Sequence, residues 1–213
     1  MKKPVKIIVS ILGIILLGIP ILFISFYISM MPDGEKEDMI RDEAEQYINQ
    51  TFKNHFEVYD TLYDNMGNFE FEYAAKVRDK VNNIEFLIYH DSETGQLVDT
   101  YVADKWVNEL KNDIRQYIDA NFKEVTDFHA FFDDEIGKEL NIDPLNSGSF
   151  KEYHVAPTIR ITISRTKGNQ DDELFNTFIS FLKNENILEH GTVIVAYIDA
   201  KGVILDEDWS KEF

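Results

Sequence analysis

The sequence predicts an α+β protein in which an N-terminal transmembrane helix precedes two tandem units, each a helix packed on an antiparallel sheet, the second with an inserted helix. Three observations lead to this prediction: an uncharged apolar stretch of 25 residues near the start, a change from helical to strand spacing after it, and a second occurrence of the same order of elements. The predicted divisions are residues 1–31 for the cytoplasmic lysines and anchor, 32–36 for a linker, 37–106 for the first unit and 107–213 for the second.

Residues 7–31 contain no charged side chain and follow Lys2, Lys3 and Lys6. A helix of this length is sufficient to cross a hydrocarbon core of about 30 Å. The alternative is a cleaved secretory signal, but its apolar region is shorter and ends in small residues, whereas this one continues through aromatic residues and two methionines. We therefore expect an uncleaved signal anchor in the cell membrane, with the N-terminus in the cytoplasm and the C-terminal part outside the cell.

The rest of the chain is strongly acidic. Residues 32–213 contain 18 Lys and Arg residues against 39 Asp and Glu residues, a net charge of −21. Such a surface repels nucleic acid and anionic lipid headgroups, so nucleic acid is not an expected partner. The chain contains no cysteine, and its folding must therefore depend on its hydrophobic core.

The first unit is predicted to be one helix followed by three or four antiparallel strands. Residues 37–52 place apolar side chains three and four positions apart, which indicates an amphipathic helix. Residues 69–77 alternate apolar and polar side chains, which is typical of a strand with one buried face. Residues 56–63 predict a further strand, and residues 84–90 and 97–102 flank a glycine-containing turn and predict a hairpin.

A second amphipathic helix is predicted at residues 107–122, and part of its sequence repeats the first helix. The sequence Gln-Tyr-Ile at residues 46–48 occurs again at residues 116–118, and in both places Phe-Lys follows at the end of the helix. If this helix is continuous from Trp106, the two units are rigidly connected. We interpret the match as one part of an internal duplication.

The second part of the duplication lies at the far end of each unit. Tyr89 and Tyr197 begin similar hairpin sequences, and Trp106 and Trp209, the two tryptophans of the chain, follow them. The separation between matching residues grows from 70 at the helices to 108 at the tyrosines, so the second unit has about 38 additional residues. These additions are expected in the turn-rich segment 141–148 and in a helix at residues 171–187.

The hairpin sequences suggest a family. Asp91, Thr94, Gly95 and Leu97 in the first unit, with a shorter match from Asp199 in the second, resemble the D-x-x-T-G-x-(L/V) hairpins of PepSY domains and the cystatin-like units of TseB-type cell-wall elongation regulators. The N-terminal anchor and two small helix-plus-sheet units are also similar to the latter. The resemblance implies tandem cystatin-like units and a non-enzymatic, extracytoplasmic binding or regulatory protein of Gram-positive bacteria. The expanded second unit departs from this pattern.

No catalytic motif is evident. None of the five histidines has the i, i+4 spacing of a zinc-binding helix. No serine lies in a G-x-S-x-G sequence, and no glycine-rich phosphate loop occurs. We therefore expect neither enzymatic activity nor a cofactor, although an enzyme stays open as an alternative because catalytic residues can come from distant positions.

Three acidic clusters offer the oxygen ligands that calcium prefers: residues 133–135, residues 171–173 and the sequence Asp206-Glu207-Asp208. The second cluster is explained by the N-terminal dipole of a predicted helix. None of the three has the ligand order of an EF-hand. We predict no metal site, and the candidate ligands if the chain holds a cation are Asp206, Glu207 and Asp208.

We therefore expect an extracytoplasmic protein, held in the membrane by residues 7–31, that binds another envelope or membrane protein without catalysis. The exposed sheet face or an edge strand of each unit would receive the partner. The candidate contact residues are Tyr89, Trp106, Tyr197 and Trp209, although packing in the core is the alternative for the tryptophans. The alternative function is a calcium- or cation-responsive surface sensor that uses its acidic clusters.

Overall fold

The computed structural model describes residues 16, 18–28, 30–52, 55–205 and 208–213. Over these residues the chain forms two four-stranded sheets, and a long helix precedes each sheet. The predicted α+β class is therefore confirmed. The helix that precedes the first sheet begins at Gly34, inside the predicted linker.

The transmembrane helix in the predicted fold is wrong. Residues 18–28 are helical, but no helix within the described residues is both long enough and apolar enough to cross a membrane. A membrane-spanning helix needs about 20 consecutive residues that are mainly apolar, and the described helical stretch at residues 18–28 is shorter than that. Residues 7–15, 17 and 29, which the prediction also included, lie outside the described residues.

The first sheet is an antiparallel meander that follows helix α1 (Gly34–Thr51). Asp33 caps this helix, since its carboxylate accepts a hydrogen bond of 3.0 Å from the backbone N–H of Glu35. The four strands lie side by side in chain order: β1 (Phe56–Tyr63), β2 (Tyr73–Asp79), β3 (Ile84–His90) and β4 (Leu97–Asp99). Strands β1 and β3 have the predicted bounds, whereas β2 begins at Tyr73 and not at residue 69.

Both faces of the first sheet carry apolar side chains, but α1 covers only one of them. The covered face packs against Ile40, Ala44 and Ile48 of the helix, as the spacing of three and four residues requires. The uncovered face, which we call the open face, carries a smaller apolar cluster. Its buried members are Phe71, Ala74, Tyr89 and Val98.

Helix α2 (Tyr101–Asn121) contributes to the cores of both units. Tyr101 packs among the aromatic rings of the first core, whereas Trp106, Leu110 and Ile114 lie in the second. Amphipathic spacing predicted the second half of this helix, but the helix begins well before residue 107. One continuous helix therefore passes from one hydrophobic core into the other.

The second sheet is mixed. Its strands also lie in chain order: β5 (Val125–Phe131), β6 (Thr158–Ile163), β7 (Thr192–Tyr197) and β8 (Trp209–Glu212). Strands β6 and β7 are parallel, and the other neighbouring pairs are antiparallel. The antiparallel sheet predicted for this unit is therefore wrong at one pair, because the connection between β6 and β7 contains a crossover helix that returns the chain to the same end of the sheet.

That crossover helix is α4 (Asp171–Asn184), which corresponds to the helix predicted at residues 171–187. Asp171 is 5% exposed, and its carboxylate accepts hydrogen bonds of 2.7 and 2.8 Å from Arg165, 2.8 Å from the N–H of Gly168 and 2.7 Å from the hydroxyl of Tyr197. Burial opposes the ionisation of Asp171, but these donors outweigh it and lower its pKa to about 2. Its stabilising effect is therefore complete above the unfolded pKa of about 4 and is lost as the pH falls toward 2.

The connection between β5 and β6 holds the second unit against the first. It contains helix α3 (Ile136–Glu139) and two turns of 3-10 helix, Pro144–Asn146 and Phe150–Glu152. A Cβ added at Gly137 would lie 2.9 Å from Cγ2 of Val102. Lys138 forms salt bridges with Asp91 of the first unit and, at 2.6 Å, with Glu135. The two units are therefore in direct contact.

Replacing Asp171 by Asn is expected to lower the free energy of unfolding by about 2–4 kcal/mol at pH 7, because the partly buried Arg165 loses its carboxylate partner. The matched control is Asp172→Asn, since Asp172 is exposed and pairs with Lys167 at 3.0 Å. An exposed pair contributes less than about 1 kcal/mol. Urea unfolding followed by tryptophan fluorescence measures both variants, and equal losses would contradict this assignment.

Candidate functional site

A cleft lies between the open face of the first sheet and the segment that follows β5. The first unit contributes Asn68, Phe69, Glu70, Phe71 and Tyr89, and the second contributes residues 132–135. The cavity has a volume of about 340 Å³, which is near the lower limit for small-ligand pockets. We call it the acidic cleft.

Aromatic rings form one wall of the acidic cleft. The ring centroid of Phe71 lies 4.5 Å from that of Tyr89 and 5.0 Å from that of Phe69. Phe71 and Tyr89 are buried, whereas Phe69 is 46% exposed. On the opposite side, Phe132 packs at 5.6 Å against Trp106 of the second core. Both sides of the cleft are thus supported by packed aromatic residues.

The carboxylates of the cleft come from both units: Glu70 from the first, and Asp133, Asp134 and Glu135 from the second. Glu135 is paired with Lys138 at 2.6 Å, and Asp133 accepts a hydrogen bond of 2.9 Å from the N–H of Glu135. Over the described part of the chain, Glu70 and Asp134 make no hydrogen bond or salt bridge. Both residues are exposed to solvent, and no described residue neutralises either charge.

The acidic side chains repel one another across the boundary between the units. Partial burial and then the charges of Asp133, Glu70 and Glu135 raise the pKa of Asp134. Glu70 belongs to the other unit and lines the same cavity as residues 133–135, so the two acidic segments face a common volume. A positive charge placed there would offset the repulsion.

Tyr89 extends from β3 into the same cleft. Tyr89 is 4% exposed. Its hydroxyl makes no hydrogen bond to any described residue. Burial and then the charges of Glu135, Asp134 and Glu70 raise the pKa of this hydroxyl, so it stays neutral at physiological pH. The ring of Tyr89 is buried, but its hydroxyl oxygen is accessible from the cavity. This group is therefore available to a ligand.

The start of helix α2 contributes a partly buried carboxylate, Asp104, whose pKa is influenced by Asp134 of the cleft. Asp104 accepts a hydrogen bond of 2.5 Å from the hydroxyl of Thr100. Burial raises the pKa of Asp104 to about 6, and the charges of Asp134 and Asp99 contribute in the same direction. The acidic cleft therefore influences ionisation inside the protein as well as at its surface.

Of the four predicted contact residues, the structure brings only Tyr89 to the acidic cleft. Trp106 is fully buried, and Tyr197, at 1% exposure, donates its hydroxyl hydrogen to the carboxylate at the start of α4. Trp209 is partly buried in β8, with its ring 5.1 Å from that of Phe175. Packing, the alternative reading for the tryptophans, accounts for the position of Trp106.

The candidate metal ligands are not part of the cleft. Asp206 and Glu207 lie outside the described residues, and Asp208 precedes β8. Across the described ranges, no group of three or more His, Cys, Asp or Glu side chains is placed to hold a metal ion. The cluster at residues 133–135, which was considered for its carboxylates, lines the acidic cleft instead.

Phe69 and Glu70 line the acidic cleft, although the sequence did not predict them as site residues. Both residues were assigned to an alternating strand, but they precede β2 and contribute to the cleft. The rings of Phe69 and Phe71 are stacked with an interplanar angle of 13°. No local pattern connects these residues with residues 133–135, which lie in the other unit.

A larger cavity of about 670 Å³ lies between the segment 150–155 and the end of α4. Its lining has charges of both signs, including Lys151, Lys183, Glu152 and Glu189. Lys151 is already paired with Asp113 at 2.8 Å. We assign the candidate site to the acidic cleft because its charges have one sign and two of them are unpaired.

Comparison with known proteins does not assign this chain to a family. No protein-family model, curated protein or solved structure matches it. The resemblance to PepSY domains and TseB-type cystatin-like units therefore stays a prediction. The function must be argued from the geometry and charge of the site.

Replacing Asp104 by Asn is expected to change how stability depends on pH. Because the pKa of Asp104 is raised to about 6, the folded protein binds this proton more tightly than the unfolded chain, whose carboxyl titrates near pH 4. The resulting stabilisation is complete below about pH 4 and is lost as the pH rises through 6. The variant cannot ionise, so its free energy of unfolding relative to that of the wild type should be larger at pH 8 than at pH 4, by about 2 kcal/mol.

Urea unfolding at several pH values between 4 and 8 measures this difference. The control variant is Asp119→Asn, which makes the same change at an exposed carboxylate on the same helix. An Asp104→Asn difference that is the same at pH 4 and pH 8 would show that the pKa of Asp104 is not raised.

Proposed function

We propose that this protein is a non-enzymatic binding protein that receives a segment of another protein in the acidic cleft and on the adjoining open face. The observation that carries the proposal is the cleft itself, where a packed aromatic wall meets two carboxylates and the hydroxyl of Tyr89, none of which has a hydrogen-bond or salt-bridge partner among the described residues. The location outside the cytoplasm, at the cell envelope, stays a prediction that this proposal does not require.

The aromatic wall supports a protein partner. Aromatic side chains are enriched at the energetic centres of protein interfaces, where they combine a large contact area with few rotatable bonds. Phe69 presents part of its ring to solvent, and the buried rings of Phe71 and Tyr89 hold it in place. The surface is thus rigid before a partner binds, which reduces the entropic cost of binding.

The charge of the chain supports a partner with a basic segment. The net charge is −18, and the carboxylates of the cleft concentrate part of it beside the aromatic wall. An acidic surface attracts basic partners and increases the rate of association. The lining contains no serine, cysteine or histidine, which are frequent nucleophiles and general bases, so binding is the function that this lining supports best.

The open face is a better site for the partner than either of the long edge strands. Strands β1 and β5 lie at the edges of their sheets, and both are irregular, with register shifts between Val58 and Asp60 and between Val125 and Asp127. Bulges of this kind hinder the addition of another strand. Of the two binding modes predicted from the sequence, the structure therefore favours the sheet face.

In-cell photo-crosslinking tests the proposal. A photoreactive phenylalanine analogue at Phe69 of the full chain should capture a defined partner, because this ring is 46% exposed at the cleft. The same analogue at Val203, which is 59% exposed in a turn outside the cleft, should not capture it. Mass spectrometry of the crosslinked products identifies the partner and its contact peptide.

The double variant Glu70→Lys/Asp134→Lys should reduce capture at Phe69 by at least about tenfold, since charge reversal removes the attraction for a basic segment. The matched charge control is Glu139→Lys, which changes an exposed carboxylate of α3 that does not line the cleft. Far-UV circular dichroism checks that the variants fold. If capture is the same at Phe69 and Val203, or if charge reversal does not reduce it, the proposal is wrong.

A further inference from the structure

We infer that the acidic cleft recognises a lysine side chain of the partner, through a protonated alkylamine that donates N–H hydrogen bonds. The inference rests on the proposed function and specifies its ligand chemistry. Four features of the described residues lead to it: the unpaired carboxylates, the aromatic wall, the hydroxyl of Tyr89 and the neighbouring salt bridges of Lys138.

The carboxylates determine the charge of the ligand. Glu70 and Asp134 approach the same volume from different units, and their mutual repulsion contributes to the raised pKa of Asp134. Neither forms a salt bridge with a described residue. A cation between them replaces repulsion with attraction, whereas an anionic group would add to the repulsion.

The aromatic wall determines which chemical group of the ligand lies next to its positive charge. A lysine side chain has a flexible stem of four methylene groups that packs on apolar surface while its ammonium group remains near polar groups. The rings of Phe69, Phe71 and Tyr89 provide such a surface beside the carboxylates. An ammonium group near these rings also gains a cation–π attraction. A hydrated inorganic cation would gain neither contact.

The hydroxyl of Tyr89 determines that the ligand carries N–H groups. Tyr89 is 4% exposed, lines the cleft and has no hydrogen-bond partner in the described structure. An ammonium group has three donors and no acceptor. These donors match the hydroxyl oxygen of Tyr89 and the oxygens of Glu70 and Asp134, whereas a quaternary ammonium group has no N–H donor to offer.

Lys138 shows the same chemistry within the protein. Its ammonium group lies between Asp91 of the first unit and Glu135 of the second. An alkylammonium group is therefore already accommodated between carboxylates of the two units, at the end of the cleft where Glu135 lies. Because Lys138 neutralises that end, Glu70 and Asp134 are the positions that remain for a lysine from the partner.

An NMR titration of the isotope-labelled full chain tests the inference with three small probes. The probes are Nα-acetyl-lysine N-methylamide, its Nε-acetylated form and its Nε-trimethylated form. The lysine probe should shift resonances of Phe69, Tyr89 and Asp134. The uncharged acetylated probe should shift none of them, and the trimethylated probe should bind at least about threefold more weakly, the factor expected for one hydrogen bond.

Two substitutions assign the contacts. Tyr89→Phe keeps the ring and removes the hydroxyl, so it should reduce or abolish the difference between the lysine and trimethylated probes. Asp134→Asn should weaken binding of both charged probes by at least about threefold, because it removes a charge. The control Glu139→Gln changes a carboxylate outside the cleft and should leave all affinities unchanged.

The inference is overturned if the acetylated probe binds as well as the lysine probe, or if the trimethylated and lysine probes bind equally to the wild-type chain. Tighter binding of an arginine probe than of the lysine probe would assign the cleft to a guanidinium group and overturn it as well. If no probe shifts the cleft resonances while Phe69 still captures a partner, this inference fails and the proposed function stands. Failure of both experiments would reject both.

Discussion

The structure depends on one continuous helix that is shared by two hydrophobic cores. Tyr101 near the start of α2 packs in the first core, and Trp106 and Ile114 pack in the second. An α-helix with regular hydrogen bonds bends little over such a distance, so its length and rotation determine how the second sheet lies relative to the first. Breaking the helix between these residues would separate the cores and disconnect the open face from the segment after β5.

The contacts around α2 explain why acidic side chains from both units come together. Gly137 allows α3 to approach Val102 closely, and Lys138 connects α3 with Asp91. These contacts place residues 132–135 opposite Phe69 and Glu70. The resulting repulsion between carboxylates destabilises the folded protein when no ligand is bound. An arrangement that lowers stability in this way is expected at a functional site, where the positive charge of a ligand offsets the repulsion between the carboxylates.

The spacing of apolar residues predicted most helices and strands well, because it depends only on residues that are close together in the chain. The strands predicted at residues 56–63 and 84–90 have the observed bounds of β1 and β3, and spacing of three and four residues located α1 and α4. The direction of β7 was not predictable in the same way, because it depends on where the crossover helix returns the chain. The transmembrane prediction is wrong for the described residues, among which no helix is both long enough and apolar enough to cross a membrane. Phe69 and Glu70 belong to the stretch predicted as a strand from alternation, but β2 begins only at Tyr73.

The sequence by itself determined the α+β class, the positions of most helices and strands, and the excess of negative charge, because these properties follow from composition and from residues within a few positions of each other. Tertiary structure alone decided that Glu70 and Asp134 share one cleft, that among the described residues the hydroxyl of Tyr89 has no partner while that of Tyr197 has one, and that Trp106 is core. The physical reason is that these relationships join residues of different elements, and their distances depend on how a helix common to both units orients the sheets.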